Sequence, residues 1–262
     1  MYISAMSRLP PAVLLLSATL SLQCKSDTPH EPIQIAAASD LTLAFEELGK
    51  LFEARTGSKV TFSFAASGAL AKQLSQGAPF DLFAAANASF VDQAVSAGAC
   101  DAKSKTPYAR GHLVVWSKAG GVKVASLAEL KRPDIKHIAI ANPEHAPYGR
   151  AAREALTQAG LWRELESKIV QAENVRQALQ FAQTGNAEVA LVALSLVASD
   201  TTGQRFEVDP KLHHPLEQTL VVCRRGKNQS GARAFVELVA SPEGQKLLAR
   251  HGLGRSDEQT GQ

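Results

Sequence analysis

Two spacings of apolar residues alternate along this chain. Ile33 to Ala38 is a short apolar run, IQIAAA, and the apolar residues after it fall at Leu41, Phe45, Leu48, Leu51 and Phe52, one face of a helix. The pair reads as strand, tight turn and helix, with Ser39 at the N-cap position and Gly57 closing the helix. The same unit then recurs. Strands are predicted at Lys59–Ala65, Asp81–Ala85, His112–Trp116, Lys136–Ala141, Lys168–Gln171, Ala187–Ala193 and Leu216–Cys223. Helices are predicted to open at Ser67-Gly68, Ala88, Arg150, Arg176, Gly231 and Glu243. Strand–helix alternation predicts an α/β fold built on mainly parallel sheet. A second unit opens near Ser117, giving lobe 1 over 33–115 and 219–254 and lobe 2 over 116–218. His112–Trp116 and Leu220–Cys223 are the expected crossings between the lobes.

The N-terminus breaks this pattern. Arg8 precedes an apolar stretch from Ala12 to Leu22, too short to span a bilayer and suited to the core of a signal peptide. It runs into Ser21-Leu22-Gln23-Cys24 and a polar, Pro-containing segment. Residues 1–24 therefore read as a lipoprotein-type signal with Cys24 as the candidate lipidated residue, and 25–32 as a tether. Gln23 stands where a small residue is usual, so ordinary secretion is the alternative. The polar stretch 255–262 reads as a tail. With Cys24 set aside, Cys100 in a turn and Cys223 in an apolar strand remain. A bridge between them is open in an oxidising compartment, but two unpaired thiols are the expected state. Neither has the spacing of a metal site.

Composition narrows the function. The 262 residues are 45% hydrophobic and carry a net charge of +3, with acids and bases interspersed. No basic stripe is interleaved with aromatics, so nucleic acid is not an expected partner. The candidate chemistry lies instead in four turns that each place a small or polar residue at a helix start: Ser39-Asp40, Ser67-Gly68, Tyr148-Gly149 and Asn174-Val175. Open α/β sheets present such turns at the carboxyl ends of their strands. Four helix N-termini converging on one cleft would line it with hydroxyl and backbone N–H donors, a site for a compact oxyanion.

The segments AAASDL, FAASGALAKQL with GAPFDLFAAAN, NPEHAPYGRAAREAL and ENVRQAL resemble the periplasmic molybdate-binding proteins of ABC importers, in the family's order and over nearly all of Ile33–Gly252. The resemblance implies a two-lobed periplasmic binding protein fold (type II) hinged on two strands, closing on molybdate or tungstate and serving a membrane permease. It implies no cofactor, no enzymatic activity and a monomer, periplasmic or lipid-anchored outside the cytoplasm. It implies hydroxyl donors at Ser39 and Ser67, a contact from Tyr148, and backbone N–H donors at Asp40 and Val175. Asp40 departs from the uncharged residue of many members, and its carboxylate is expected to point away from the pocket. Ala193 stands where some members carry a Tyr, leaving Tyr148 to supply the donor or the site with one contact fewer.

Other readings compete. The same fold would serve sulfate, thiosulfate or another small anion, with cavity size deciding. An iron binder would want paired tyrosines, and the chain has only Tyr2, Tyr108 and Tyr148. A secreted hydrolase using Ser39 or Ser67 would need a partner base, yet GxSxG and SxxK are missing. His145 and His213-His214 are read as loop residues, and Asp81 as holding a loop by side-chain-to-backbone hydrogen bonds, rather than as catalysts or metal ligands.

Overall fold

The structure is a computed structural model that describes residues 1–2 and 31–254. The predicted signal sequence with Cys24, most of the tether and the tail at 255–262 lie outside the described residues.

The alternation predicted from the sequence becomes two five-stranded sheets. The first contains β1 (Ile33–Ala38), β2 (Val60–Ala65), β3 (Leu82–Ala85) and β4 (Thr106–Gly111). The second contains β5 (Leu113–Ser117), β6 (Ile138–Ala141), β7 (Ile169–Ala172), β8 (Val189–Ala193) and β9 (Gln204–Glu207), after which β10 (Leu216–Val222) returns to the first. Their strand orders are β2-β1-β3-β10-β4 and β7-β6-β8-β5-β9, the same topology twice. In each, three parallel strands are followed by two antiparallel pairings, contributed through β10 in one sheet and β5 in the other. Both sheets are therefore mixed, because the strand arriving from the other lobe runs against the βα units it joins. The passages between sheets are residue 112 and residues 208–215, so the strands expected as crossings flank them: β5 lies wholly in the second sheet and β10 in the first.

The flanking helices are α1 (Thr42–Thr56), α2 (Ser67–Ser75), α3 (Ala88–Ser96), α4 (Pro147–Gln158), α5 (Trp162–Leu165), α6 (Val175–Thr184), α7 (Gln229–Ala240) and α8 (Pro242–Arg250). The apolar face read from Leu41, Phe45, Leu48 and Phe52 is buried. Phe45 meets Phe62, Tyr108 and Phe235 at centroid distances of 5.8–6.1 Å. Each such side chain contributes roughly 1.5–3 kcal/mol by burial.

Two expectations are corrected. Cys100 and Cys223 are disulfide-bonded rather than free. The turn after α3 pairs with the end of β10, with Asp101 N–H donating to the Val222 carbonyl (2.9 Å) and Arg224 N–H to that of Ala99 (2.8 Å). This sets the two cysteines opposite each other in an antiparallel bridge. Ser39 is not an N-cap. It begins a 3-10 turn, Ser39–Leu41, that precedes α1, and no side chain caps either start.

Candidate functional site

The four predicted turns meet between the sheets. In the first, Thr42 Oγ1 donates to the Ser39 carbonyl (2.8 Å), which braces the 3-10 turn and leaves the Ser39 hydroxyl without a partner among the described residues. In the second, Ser67 is the first residue of α2, and its Oγ accepts the Ala86 N–H (3.1 Å). A hydroxyl whose oxygen already accepts keeps its own hydrogen to donate. In the third, Pro147 starts α4, where a missing N–H costs nothing, followed by Tyr148 and Gly149. In the fourth, Asn174 caps α6 by accepting the Gln177 N–H (3.0 Å), leaving the earlier N–H of Val175 unclaimed by that cap.

Ser39, Asp40, Ser67, Tyr148 and Val175 line one cavity of about 10 Å³, walled otherwise by alanines and Pro147. Among the described residues no Lys, Arg or His lines it. A space of this size is at the threshold for one water. The cleft is therefore closed, and passage of a larger ion requires the lobes to part. Lobe-to-lobe contacts hold it so. Gly68 N–H donates to the His145 carbonyl (2.9 Å), and Ser195 Oγ donates to the Asp40 carbonyl (2.8 Å). A Cβ on Gly68 would sit 2.9 Å from that His145 oxygen, so only glycine permits the approach. Arg150 crosses to the Phe90 ring, 5.6 Å from its centroid. Arg176 lines an open groove of about 590 Å³ beside Thr42, Leu43 and Gln180, outside the cavity.

Asp40 does not reach solvent. It is 1% exposed, and its Oδ2 accepts from Gln218 Nε2 at 2.6 Å. The Tyr148 hydroxyl lies against the same pair, accepting from Gln218 Nε2 at 3.5 Å. The carboxyl is thus turned to Gln218, on a residue that still lines the cavity. Burial pushes its pKa up to about 6, although the Gln218 hydrogen bond and the nearby Tyr148 hydroxyl pull the other way. Burial, with the nearby Asp40 charge, also pushes the Tyr148 and Tyr108 phenols well above their ordinary value. Tyr148 packs so closely on β4 that a Cβ on Gly111 would lie 2.1 Å from its Oη. Its hydroxyl keeps its own hydrogen to donate, as the Tyr donor weighed against Ala193 requires. Ala193 is buried at the end of β8, paired with Leu113.

Sequence reasoning missed Gln218, Ser195, the Ala86 N–H and the His145 carbonyl. Gln218 had no clear signal: it lies between Glu217 and Thr219 in LEQTLVV, and only the fold buries it. The backbone groups had none. The remaining candidates act structurally. Asp81 accepts from Gln34 N–H (2.7 Å) and Asn228 N–H (2.6 Å). His213 Nδ1 meets the His214 carbonyl, and His214 pairs with Glu154. Neither Ser39 nor Ser67 is hydrogen-bonded to a His, Lys or carboxylate among the described residues, so neither is arranged as a nucleophile.

Comparisons with known proteins agree with this geometry. Residues 33–254 match the family described as bacterial extracellular solute-binding protein. The molybdate-binding protein ModA of Rhodobacter capsulatus is 37% identical over 217 residues, covering 83% of this chain and 86% of that protein. ModA of Azotobacter vinelandii is 36% identical over 245 residues, covering 92% and 96%. The solved Azotobacter vinelandii periplasmic molybdate-binding protein superimposes with a TM-score of 0.80 at 29% identity, covering 84% of this chain and 98% of that one. A match spanning both sheets and the cavity between them places this chain among the bacterial extracellular solute-binding proteins.

Proposed function

We propose that this protein captures molybdate or tungstate outside the cytoplasm and delivers it to an ABC-type membrane permease. The observation that carries this reading is the cavity itself: four helix starts supply hydroxyl and N–H donors while no cationic side chain among the described residues lines the space. Neutral donors in a closed, water-poor cleft suit a fully deprotonated tetrahedral oxyanion, whose charge spreads over several hydrogen bonds. Ser39 and Ser67 donate hydroxyls, Asp40 and Val175 donate backbone N–H groups, and Tyr148 contributes the start of α4. The chain performs no reaction and needs no cofactor; its work is binding and release.

The two passages at residue 112 and residues 208–215 are the hinge in this reading, and lobe closure is the state the permease recognises. The protein works as a monomer, held near the membrane by lipid on Cys24. Relatives named for molybdate support molybdate over sulfate. Isothermal titration with molybdate, tungstate, sulfate and phosphate tests the assignment. One equivalent of molybdate or tungstate should bind, with weak or no heat from the other two. Heat with sulfate and none with molybdate would overturn it.

A further inference from the structure

Beside the proposed anion cage lies a carboxyl that no cation among the described residues balances. The influences on Asp40 are its burial, Gln218, Tyr148 and its own backbone. The groups facing it can be followed element by element. Gln218 comes from β10, Tyr148 from α4 and Tyr108 from β4, a neutral phenol that the Asp40 charge pushes up. From the turn after β8, Ser195 holds its backbone carbonyl. Ser67 of α2 and Val175 of α6 share the cavity and are neutral. The cations nearest in sequence to the donor turns are directed elsewhere, Arg150 to the Phe90 ring and Arg176 to the outer groove, while Arg110 lines a separate pocket near the hinge.

A doubly charged anion and a carboxylate sharing one water-poor space repel each other strongly, and a proton on the carboxyl removes the conflict. We infer that anion capture is proton-coupled, with the Asp40 carboxyl taking one proton from solution as the cleft closes on the dianion. This rests on the oxyanion reading above. The balance is simple: ionised protein, dianion and one proton give a complex in which Asp40 is a neutral acid.

Its surroundings suit both states. With Asp40 ionised, Gln218 presents its amide N–H to Oδ2. The Gln218 Oε1 is buried without a partner among the described residues, an unusual state for a carbonyl oxygen. An amide turned over would offer that oxygen to the acid proton.

The sign follows from linkage. Where Asp40 is ionised in the free protein, binding takes up a proton, so affinity falls as pH rises. Asp40 titrates at about 6 in the ligand-free cleft, and the dianion raises it further, so affinity falls from about that pH up to the pKa in the complex, by up to about tenfold per unit. The test is titration of the full chain with molybdate between about pH 6 and pH 9, in buffers of different ionisation enthalpy, for wild type and Asp40→Asn. Wild type should show proton uptake that rises above about pH 6 toward one proton and declines once pH passes the pKa in the complex, and Asp40→Asn close to none with a flat affinity. Buffer-independent heats and a flat profile in wild type would overturn the inference, and this comparison does not depend on the variant folding. An equal proton uptake in Asp40→Asn would also overturn it, by placing the proton elsewhere. Absence of molybdate binding at every pH in both proteins would remove the oxyanion reading itself, and this inference with it. That result is distinct from binding without proton uptake.

Discussion

Ser39 and Ser67 both stand at a helix start without capping it, and that separates their role from the ordinary one of serine in this place. A capping serine spends its oxygen on a backbone N–H two or three residues on. Ser39 spends nothing, and Ser67 accepts from Ala86 on a different strand–helix connection. Ser39→Ala and Ser67→Ala should each weaken molybdate binding by one charge-assisted hydrogen bond, about 1.5–3 kcal/mol, or roughly ten- to a hundredfold by calorimetry. Thermal unfolding without ligand should move little for Ser39→Ala, since no cap is lost. Asp40 gives a prediction of the opposite kind. Its pKa, raised from 3.8 to about 6, means that folding favours the protonated form. Its contribution to stability is full below pH 3.8 and is lost as pH rises toward about 6, on the order of 3 kcal/mol for a fully buried group. Asp40→Asn should therefore gain stability relative to wild type across that window, read by urea unfolding at pH 4 and pH 7.

At the scale of elements, the strands and helices that carry the site were legible, and those that only complete the sheets were not. β1, α1, α2 and α6 each show an apolar period ended by a cap or a glycine. β4 (TPYARG) and β9 (QRFE) are short edge strands with polar or Pro residues and one pairing partner each, so no alternation marks them. The disulfide was hidden for a related reason. Cys100 and Cys223 are 123 residues apart, and only the register between the turn after α3 and the end of β10 brings them together. A crosslink closing so long a loop stabilises by about 2–4 kcal/mol. Cys100→Ser/Cys223→Ser, or reduction of the wild type, should lower the urea midpoint accordingly while molybdate affinity changes little, because the bridge lies away from the cavity. Asp40 shows the limit of reading elements singly. Its position in the first turn was plain, but the Gln218 amide that receives it lies 178 residues away.

At the scale of the molecule, one topology is used twice, and the two copies meet through their helix starts. The contacts between the copies combine polar links, Gly68 to His145 and Ser195 to Asp40, with the Arg150–Phe90 pair and apolar packing that runs through both sheets. A carrier that must release its cargo has to reopen them. An anion bound only in the closed state adds RT ln(1 + [L]/Kd) to stability, about 2.7 kcal/mol at a hundred times Kd. A clear rise in melting temperature with saturating molybdate is expected, together with a smaller radius of gyration in solution scattering. The central claim is that these four turns form a single oxyanion cage, and anomalous diffraction from crystals grown with molybdate tests it most directly. One molybdenum peak is expected between Ser39, Ser67, Tyr148 and Val175, with ligand oxygens within hydrogen-bond reach of both serine hydroxyls. A fully occupied peak elsewhere in the molecule, with none in the cleft, would contradict it.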